Sequence, residues 1–328
     1  MTAAIIAPTG LVIDSVDQPS PGPNQLLVKV MFAALNRADL AMSAGHKHGN
    51  AGGTGTVAGL EWSGVVVETG SAVTDYQPGD RVMCSGVGGY AEFALCDTAR
   101  CNPIPTTTDG DNGYSFEEAA TLPVALQTMH DAIVTNGGLR SGESVLIQGA
   151  SSGVGILGLQ IARYLGASLV IGSSTHAGRR RRLLDLGADM VIDTNDPLWV
   201  AEVQSATDDK GVDLIVDQVS GYVANDNMKA ARVTGRIVNV GRLGGTSGEF
   251  DFDLHARKRI TYTGVTFRTR SRAEVDLINR AMREDLWAGL ERRAFGIPID
   301  RIFPLKEAAA AQAYMAHNQH FGKILLQV

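Results

Sequence analysis

Val145 to Gly172, VLIQGASSGVGILGLQIARYLGASLVIG, decides the fold of this chain. Val145-Leu146-Ile147 is a short apolar run of the kind that forms a buried parallel strand. It breaks into Gly149-Ala150-Ser151-Ser152-Gly153-Val154-Gly155, small and glycine-rich enough to predict a tight turn. Val154, Leu157, Ile161 and Leu165 then recur at helical spacing, Gly166 marks the stop, and Leu169-Val170-Ile171 is a second strand. Strand, glycine turn, helix and strand make one βαβ unit. Small residues let a backbone approach a pyrophosphate, and the first helical turn aims unpaired N–H groups and a positive dipole end at the anion. The glycines stand at 149, 153 and 155, a departure from the G-x-G-x-x-G spacing.

The end of the second strand selects the dinucleotide. A site for NAD carries Asp or Glu there to hold the ribose hydroxyls. This chain reads Ser173-Ser174-Thr175-His176-Ala177-Gly178-Arg179, followed by Arg180, Arg181 and Arg182. No carboxylate in that run repels a 2′-phosphate, while hydroxyls and guanidinium groups are at hand to bind one. NADPH is therefore expected over NADH. One helical turn cannot point four arginines at one ligand, so about two of them are expected in solvent.

The 328 residues suggest two domains, and 44% hydrophobic with 20% charged residues is the balance of a globular protein. A net charge of −6 gives no footprint for nucleic acid. Cys84, Cys96 and Cys101 are too few for a disulfide framework and fit a reducing compartment. The start, MTAAIIAPTG, lacks a basic segment ahead of an apolar one, and no apolar run has membrane-spanning length. A cytoplasmic location without membrane attachment is expected.

The N-terminal part is β-rich. Gln25–Val30, Gly64–Glu68, a strand after the turn in Asp75–Met83, and Gly88–Leu95 are expected strands without intervening helices, as in a barrel-like domain. Gly45 to Gly59, with six glycines in fifteen positions, is expected to be a mobile surface loop carrying His46, Lys47 and His48. From Ser115 the periodicity turns helical, with Ala125–Val134 ahead of the glycine-turn unit. After it, strands at Val191–Asp193, Val212–Asp217, Arg236–Gly241 and Ile260–Val265 alternate with helices at Arg180–Leu186 and Tyr222–Arg232. That alternation predicts an α/β, doubly wound parallel sheet. Helices at Ser271–Leu290 and Lys306–His317 and a strand at Lys323–Val328 end the chain.

Taken together, Ala34-Leu35-Asn36-Arg37-Ala38-Asp39-Leu40, Gly59-Leu60-Glu61-Trp62-Ser63-Gly64-Val65-Val66, Gly79-Asp80-Arg81-Val82, the glycine turn, Thr266-Phe267-Arg268-Thr269-Arg270 and Gly322-Lys323-Ile324-Leu325-Leu326 carry a resemblance. Nearly the whole chain resembles the zinc-free quinone oxidoreductase branch of the medium-chain dehydrogenase/reductase superfamily. The resemblance implies a Rossmann domain over 121–265 inserted into a GroES-like catalytic domain made of 1–120 and 266–328, and a homodimer. It implies that Asn36 borders the nicotinamide and the substrate oxygen, and that Thr128 lies near the carboxamide. Ser151, Ser152, Gly153 and Val154 would meet the pyrophosphate, and Ser173, Ser174 and Arg179 the 2′-phosphate. Gly241, Phe267, Arg268 and Lys323 would close around the nicotinamide half.

Zinc-dependent relatives have Gly-His-Glu where this chain has Gly59-Leu60-Glu61, and Cys near the position of Asn36. Leucine cannot ligate zinc and asparagine is a poor donor for it, so no metal is expected. The implied activity is reduction of quinones or α,β-unsaturated carbonyl compounds. Many relatives place a tyrosine in the loop after Asn36, where this chain has His46-Lys47-His48. Hydride delivery to a β-carbon leaves an enolate that needs a hydrogen-bond donor and a proton. Asn36, Lys47 or a water could meet that need. A second reading keeps the fold without turnover, as an NADPH-binding sensor or structural protein.

Overall fold

The computed structural model describes residues 1–47, 49, 52–106 and 113–328. The chain forms two compact units, one of Met1–Val124 with Phe267–Val328 and the other of Ala125–Thr266. His48 of the predicted loop lies outside the described residues.

The first unit opens with β1 (Thr2–Ala7) and β2 (Gly10–Ser15), an antiparallel hairpin turning at Pro8-Thr9. The strands β3 (Gln25–Ala34), β4 (Glu61–Thr69), β5 (Arg81–Ser85), β6 (Phe93–Asp97) and β7 (Cys101–Pro103) follow, with helix α1 (Arg37–Ser43) between β3 and β4. The expected strand over Gly88–Leu95 begins only at Phe93. Ala91 makes an isolated bridge to Ala3 instead, and Tyr90 turns its ring into the core. Helix α2 (Phe116–Ala120) starts at a capping box in which Ser115 and Glu118 satisfy each other's backbone N–H. Helix α3 (Pro123–His130) then leads into the second unit and runs on as a π-helical turn over Asp131–Asn136.

The second unit is built on β8 (Ser144–Gln148), α4 (Gly153–Tyr164), β9 (Leu169–Ser173), α5 (Ala177–Leu184), β10 (Met190–Ile192), α6 (Trp199–Ala206) and β11 (Val212–Asp217). It continues with α7 (Ala224–Ala230), β12 (Ala231–Asn239), α8 (Phe252–Lys258) and β13 (Thr261–Gly264). Every pairing in this sheet is parallel, in the order β10-β9-β8-β11-β12-β13. This is the doubly wound arrangement, whose strand order reverses at β8, so the glycine turn after β8 lies at the switch point. The helix expected over Tyr222–Arg232 is shorter, because Ala231 already pairs with Val212 and the strand claims it. Buried Leu146, Ile171, Ile215 and Ile237 form the centre of this core.

Returning to the first unit, α9 (Arg272–Glu291), β14 (Ile299–Pro304), α10 (Ala308–Ala316) and β15 (Lys323–Gln327) end the chain. Strand β15 pairs with β3, giving a seven-stranded sheet that runs β14-β15-β3-β4-β5-β7 with β6 also on β3. The C-terminal strand thereby lies beside the residues leading into α1. No helix among the described residues is long and apolar enough to cross a membrane.

Candidate active site

In the second unit the glycine turn is held from beneath. Gly149 N donates to Ser173 Oγ at 2.8 Å, and that hydroxyl donates to Gln148 Oε1 at 2.6 Å. Ser173, expected at a 2′-phosphate, is buried here and clamps the ends of β8 and β9 together. Ser152 caps α4, its Oγ accepting from Gly155 N at 3.0 Å and lying 3.1 Å from Gln218 Oε1. Gln218 Nε2 in turn donates to the Gln148 carbonyl at 3.1 Å. A Cβ on Gly155 would sit 2.7 Å from both Ala150 Cα and the Gly149 carbonyl oxygen, so only glycine permits this turn. The cap consumes the Gly155 N–H and leaves those of Gly153 and Val154 without an intrahelical acceptor. An anionic diphosphate fits that combination of close backbone approach and outward N–H groups.

At the end of β9, Ser174 Oγ donates to Ser151 Oγ at 3.1 Å, linking the two predicted phosphate regions. The arginines divide. Arg180 Nη1 is committed to the Ser174 carbonyl at 2.7 Å and to Asp193 Oδ2 at 2.6 Å, which neutralises the carboxylate at the end of β10. Arg179 is half-buried in the first turn of α5, and Arg181 and Arg182 are exposed. Thr128 is half-buried on α3. Gly241, just past β12, donates to the Asp217 carbonyl and accepts from Ser220 Oγ at 2.7 Å.

In the first unit, β3 ends at Ala34 and α1 starts at Arg37, which puts Asn36 at the N-cap with extended backbone. Its backbone N–H donates to Asp39 Oδ2 at 2.7 Å, and Tyr90 OH donates to the same oxygen at 3.0 Å. Its side chain does not cap the helix. Asn36 Nδ2 donates to Glu61 Oε1 at 2.9 Å, while Asn36 Oδ1 accepts from Lys323 Nζ at 2.8 Å. Lys323 and Glu61 also form an ion pair directly, and Val124 N donates to Glu61 Oε2 at 3.0 Å. An ammonium can only donate and a carboxylate only accept, so the two charges fix which end of the amide faces which partner.

Lys323 is 3% exposed and Glu61 fully buried. Burial pushes the Glu61 carboxyl up, and the ammonium of Lys323 and its hydrogen bonds pull against it. Burial also raises Asp39 to about 7, with the neighbouring Glu61 charge adding to the rise. Burial, with Asp39 beside it, raises the Tyr90 phenol well above its ordinary range.

A zinc ion does not fit these residues. Leu60 packs against the apolar core, and Lys323 holds its own positive charge against both Asn36 and Glu61.

Sequence reasoning reached Asn36 and Lys323 separately, but not their contact. Glu61 and Asp39 entered only as parts of motifs, and Tyr90, Gln148 and Gln218 were missed. A signal existed for Glu61 and Lys323, since each is a charge placed directly ahead of a largely apolar run, which a buried position tolerates only with a partner. Lys47 is exposed and makes none of the hydrogen bonds in this cluster. Phe267 is half-buried and Arg268 exposed. The predicted loop comes against them at Gly49, where a Cβ would sit 2.5 Å from the Arg268 carbonyl oxygen.

Two family models match the chain: an alcohol dehydrogenase GroES-like domain over residues 22–106 and a zinc-binding dehydrogenase over residues 153–282. The quinone oxidoreductase of Rattus norvegicus is 28% identical over 311 residues, covering 94% of this chain and 90% of the relative. A highly reducing polyketide synthase of Penicillium crustosum is 30% identical over 317 residues, which span 93% of this chain but only 13% of that protein. Among solved structures, an alcohol dehydrogenase superfamily protein from Novosphingobium aromaticivorans superposes with a TM-score of 0.88 at 27% identity, covering 100% of this chain and 99% of the other.

Proposed function

Because the chain belongs to the medium-chain dehydrogenase/reductase superfamily of oxidoreductases, whose fold binds a nicotinamide cofactor, we propose that it reduces quinones or α,β-unsaturated carbonyl compounds with NADPH, by direct hydride transfer and without zinc. The observation that carries this reading is the Asn36 amide clamped between Lys323 and Glu61. It is a preorganised neutral donor at a position where a zinc-dependent relative would offer a metal ligand.

Bound NADPH supplies a hydride. The chain's residues do the rest. Asn36 Nδ2 carries two protons, and Glu61 uses one. The second is the donor for the acceptor's carbonyl oxygen. As hydride arrives at the β-carbon, charge grows on that oxygen, and a donor already oriented by buried charges stabilises it without reorganising. Ser151, Ser152, Gly153 and Val154 hold the diphosphate. Ser174 and Arg179 hold the 2′-phosphate, helped by the neutralisation of Asp193 by Arg180. Lys47 is exposed on its loop, and water takes the role of proton source. The relatives named quinone oxidoreductase support quinones as acceptors, and a small-molecule substrate follows from either class.

Turnover of a quinone and an enone panel by protein dialysed extensively against chelator tests the proposal. Undiminished NADPH consumption is expected, and activity that disappears with zinc and returns when zinc is restored would overturn the metal-free reading.

A further inference from the structure

The three cysteines of the chain lie on different strands: Cys84 on β5, Cys96 on β6 and Cys101 on β7. The fold nevertheless brings them to one point, with all three sulfurs within 4.8 Å of one another. Cys84 and Cys101 face each other across the antiparallel β5–β7 pair, their sulfurs 3.9 Å apart. All three are buried in the apolar core that also contains Leu26, Trp62 and Val82. Buried cysteines serve as small hydrophobes, and one or two would need no other account. Convergence of all three is a ligand geometry. An ion bound by three sulfurs at about 2.3 Å each spaces those sulfurs about 4 Å apart, close to what the fold already provides.

We propose that Cys84, Cys96 and Cys101 form a binding site for one soft monovalent cation of the copper(I) class, held by three sulfurs. Zinc takes four ligands in closed protein sites, and no fourth Cys, His, Asp or Glu joins the group among the described residues. Soft sulfur donors in a dry, three-coordinate site select copper(I) instead. Each thiol that becomes a ligand releases its proton on binding. A cover lies over the Cys101 side. Arg283 on α9 donates through Nη2 to the Cys101 carbonyl at 2.6 Å and to Tyr76 OH at 2.9 Å, and through Nε to Asn102 Oδ1 at 2.5 Å. Arg283 and Tyr76 are both half-buried on the Cys101 side, so their movement would open a route from solvent to the sulfurs. A bound ion would tie β5, β6 and β7 together and stabilise the unit by mass action.

The test titrates copper(I) anaerobically into the reduced full-length protein against bicinchoninate, a coloured competitor for that ion. One equivalent per chain is expected to be withheld from the competitor, with a rise in melting temperature. X-ray absorption should show three sulfur neighbours. Cys96→Ala and Cys101→Ala should each weaken retention by at least about 100-fold, the upper end of what losing a supporting contact alone costs. Arg283→Met keeps every sulfur, and should load faster while X-ray absorption still shows three sulfur neighbours. This last variant and the wild-type absorption spectrum keep the test decisive if a cysteine variant fails to fold. Failure to withhold copper(I), nitrogen or oxygen neighbours in place of sulfur, or a Cys84–Cys101 disulfide with no bound ion would overturn the proposal.

Discussion

Lys323 donates through Nζ to Asn36 Oδ1 at 2.8 Å, joining residues 287 apart in the chain. The pairing of β15 with β3 makes this contact, and Glu61 at the start of β4 completes it. Removing one partner of a buried ion pair strands the other charge, at a cost of about 3–5 kcal/mol. Lys323→Met should therefore lower the unfolding free energy by that amount in denaturant melts. The double variant Lys323→Met/Glu61→Gln leaves no stranded charge, and should recover most of the loss. Equal instability of the single and double variants would show that the pair is not the source.

Asp39 gives the fold a pH dependence of predictable sign. Its carboxyl ionises at 3.8 in the ordinary state and at about 7 in the folded protein, chiefly because it is buried. Between those values the folded state keeps a proton that the unfolded state has lost, so stability falls as pH rises, by about 1.4 kcal/mol per unit for this group. Below 3.8 and above about 7 its contribution is flat. Asp39→Asn should gain stability relative to the parent between pH 5 and 7. A stability difference independent of pH in denaturant melts would contradict this.

Arg179, half-buried in the first turn of α5, is the expected reader of the 2′-phosphate. Loss of one charge-assisted contact costs about 1.5–3 kcal/mol, or about ten- to hundredfold in binding. Arg179→Ala should raise KM for NADPH by that factor and leave KM for NADH nearly unchanged. Equal losses with both cofactors would remove Arg179 from this role.

Asn36 and Lys47 are separated by one experiment. Loss of a preorganised donor to developing charge costs about 10²–10³ in turnover. Asn36→Ala should show that loss in kcat, with melting curves run alongside to exclude unfolding. Lys47→Ala should stay within a few-fold of the parent. A loss of about 10²-fold in Lys47→Ala would instead give that side chain the electrostatic role.

Local chemistry made part of this molecule legible from sequence. An apolar run into glycines and then a 3.6-residue period identified β8, the turn and α4, because each signal sits within a few residues of its cause. The strand Val212–Asp217 was legible for the same reason. Other elements depended on distant partners. Strand β14 needs β15 beside it to pair, and Ala231 follows helical residues yet joins a strand because Val212 is its neighbour. The glycine turn pointed to a phosphate, but the clamping role of Ser173 depends on Gln148, 25 residues earlier. The clamp on Asn36 and the meeting of the three cysteines are products of sheet order, to which sequence spacing is blind.

In the proposed reaction a hydride passes directly from NADPH to an activated acceptor. Incubating the protein with an enone and NADPH deuterated at C4, in both stereochemical forms, tests it most directly. One form is expected to deliver a single deuterium to the β-carbon of the product, while the proton at the α-carbon comes from solvent. NADPH that is not consumed, or product whose β-carbon takes its hydrogen from water, would contradict it.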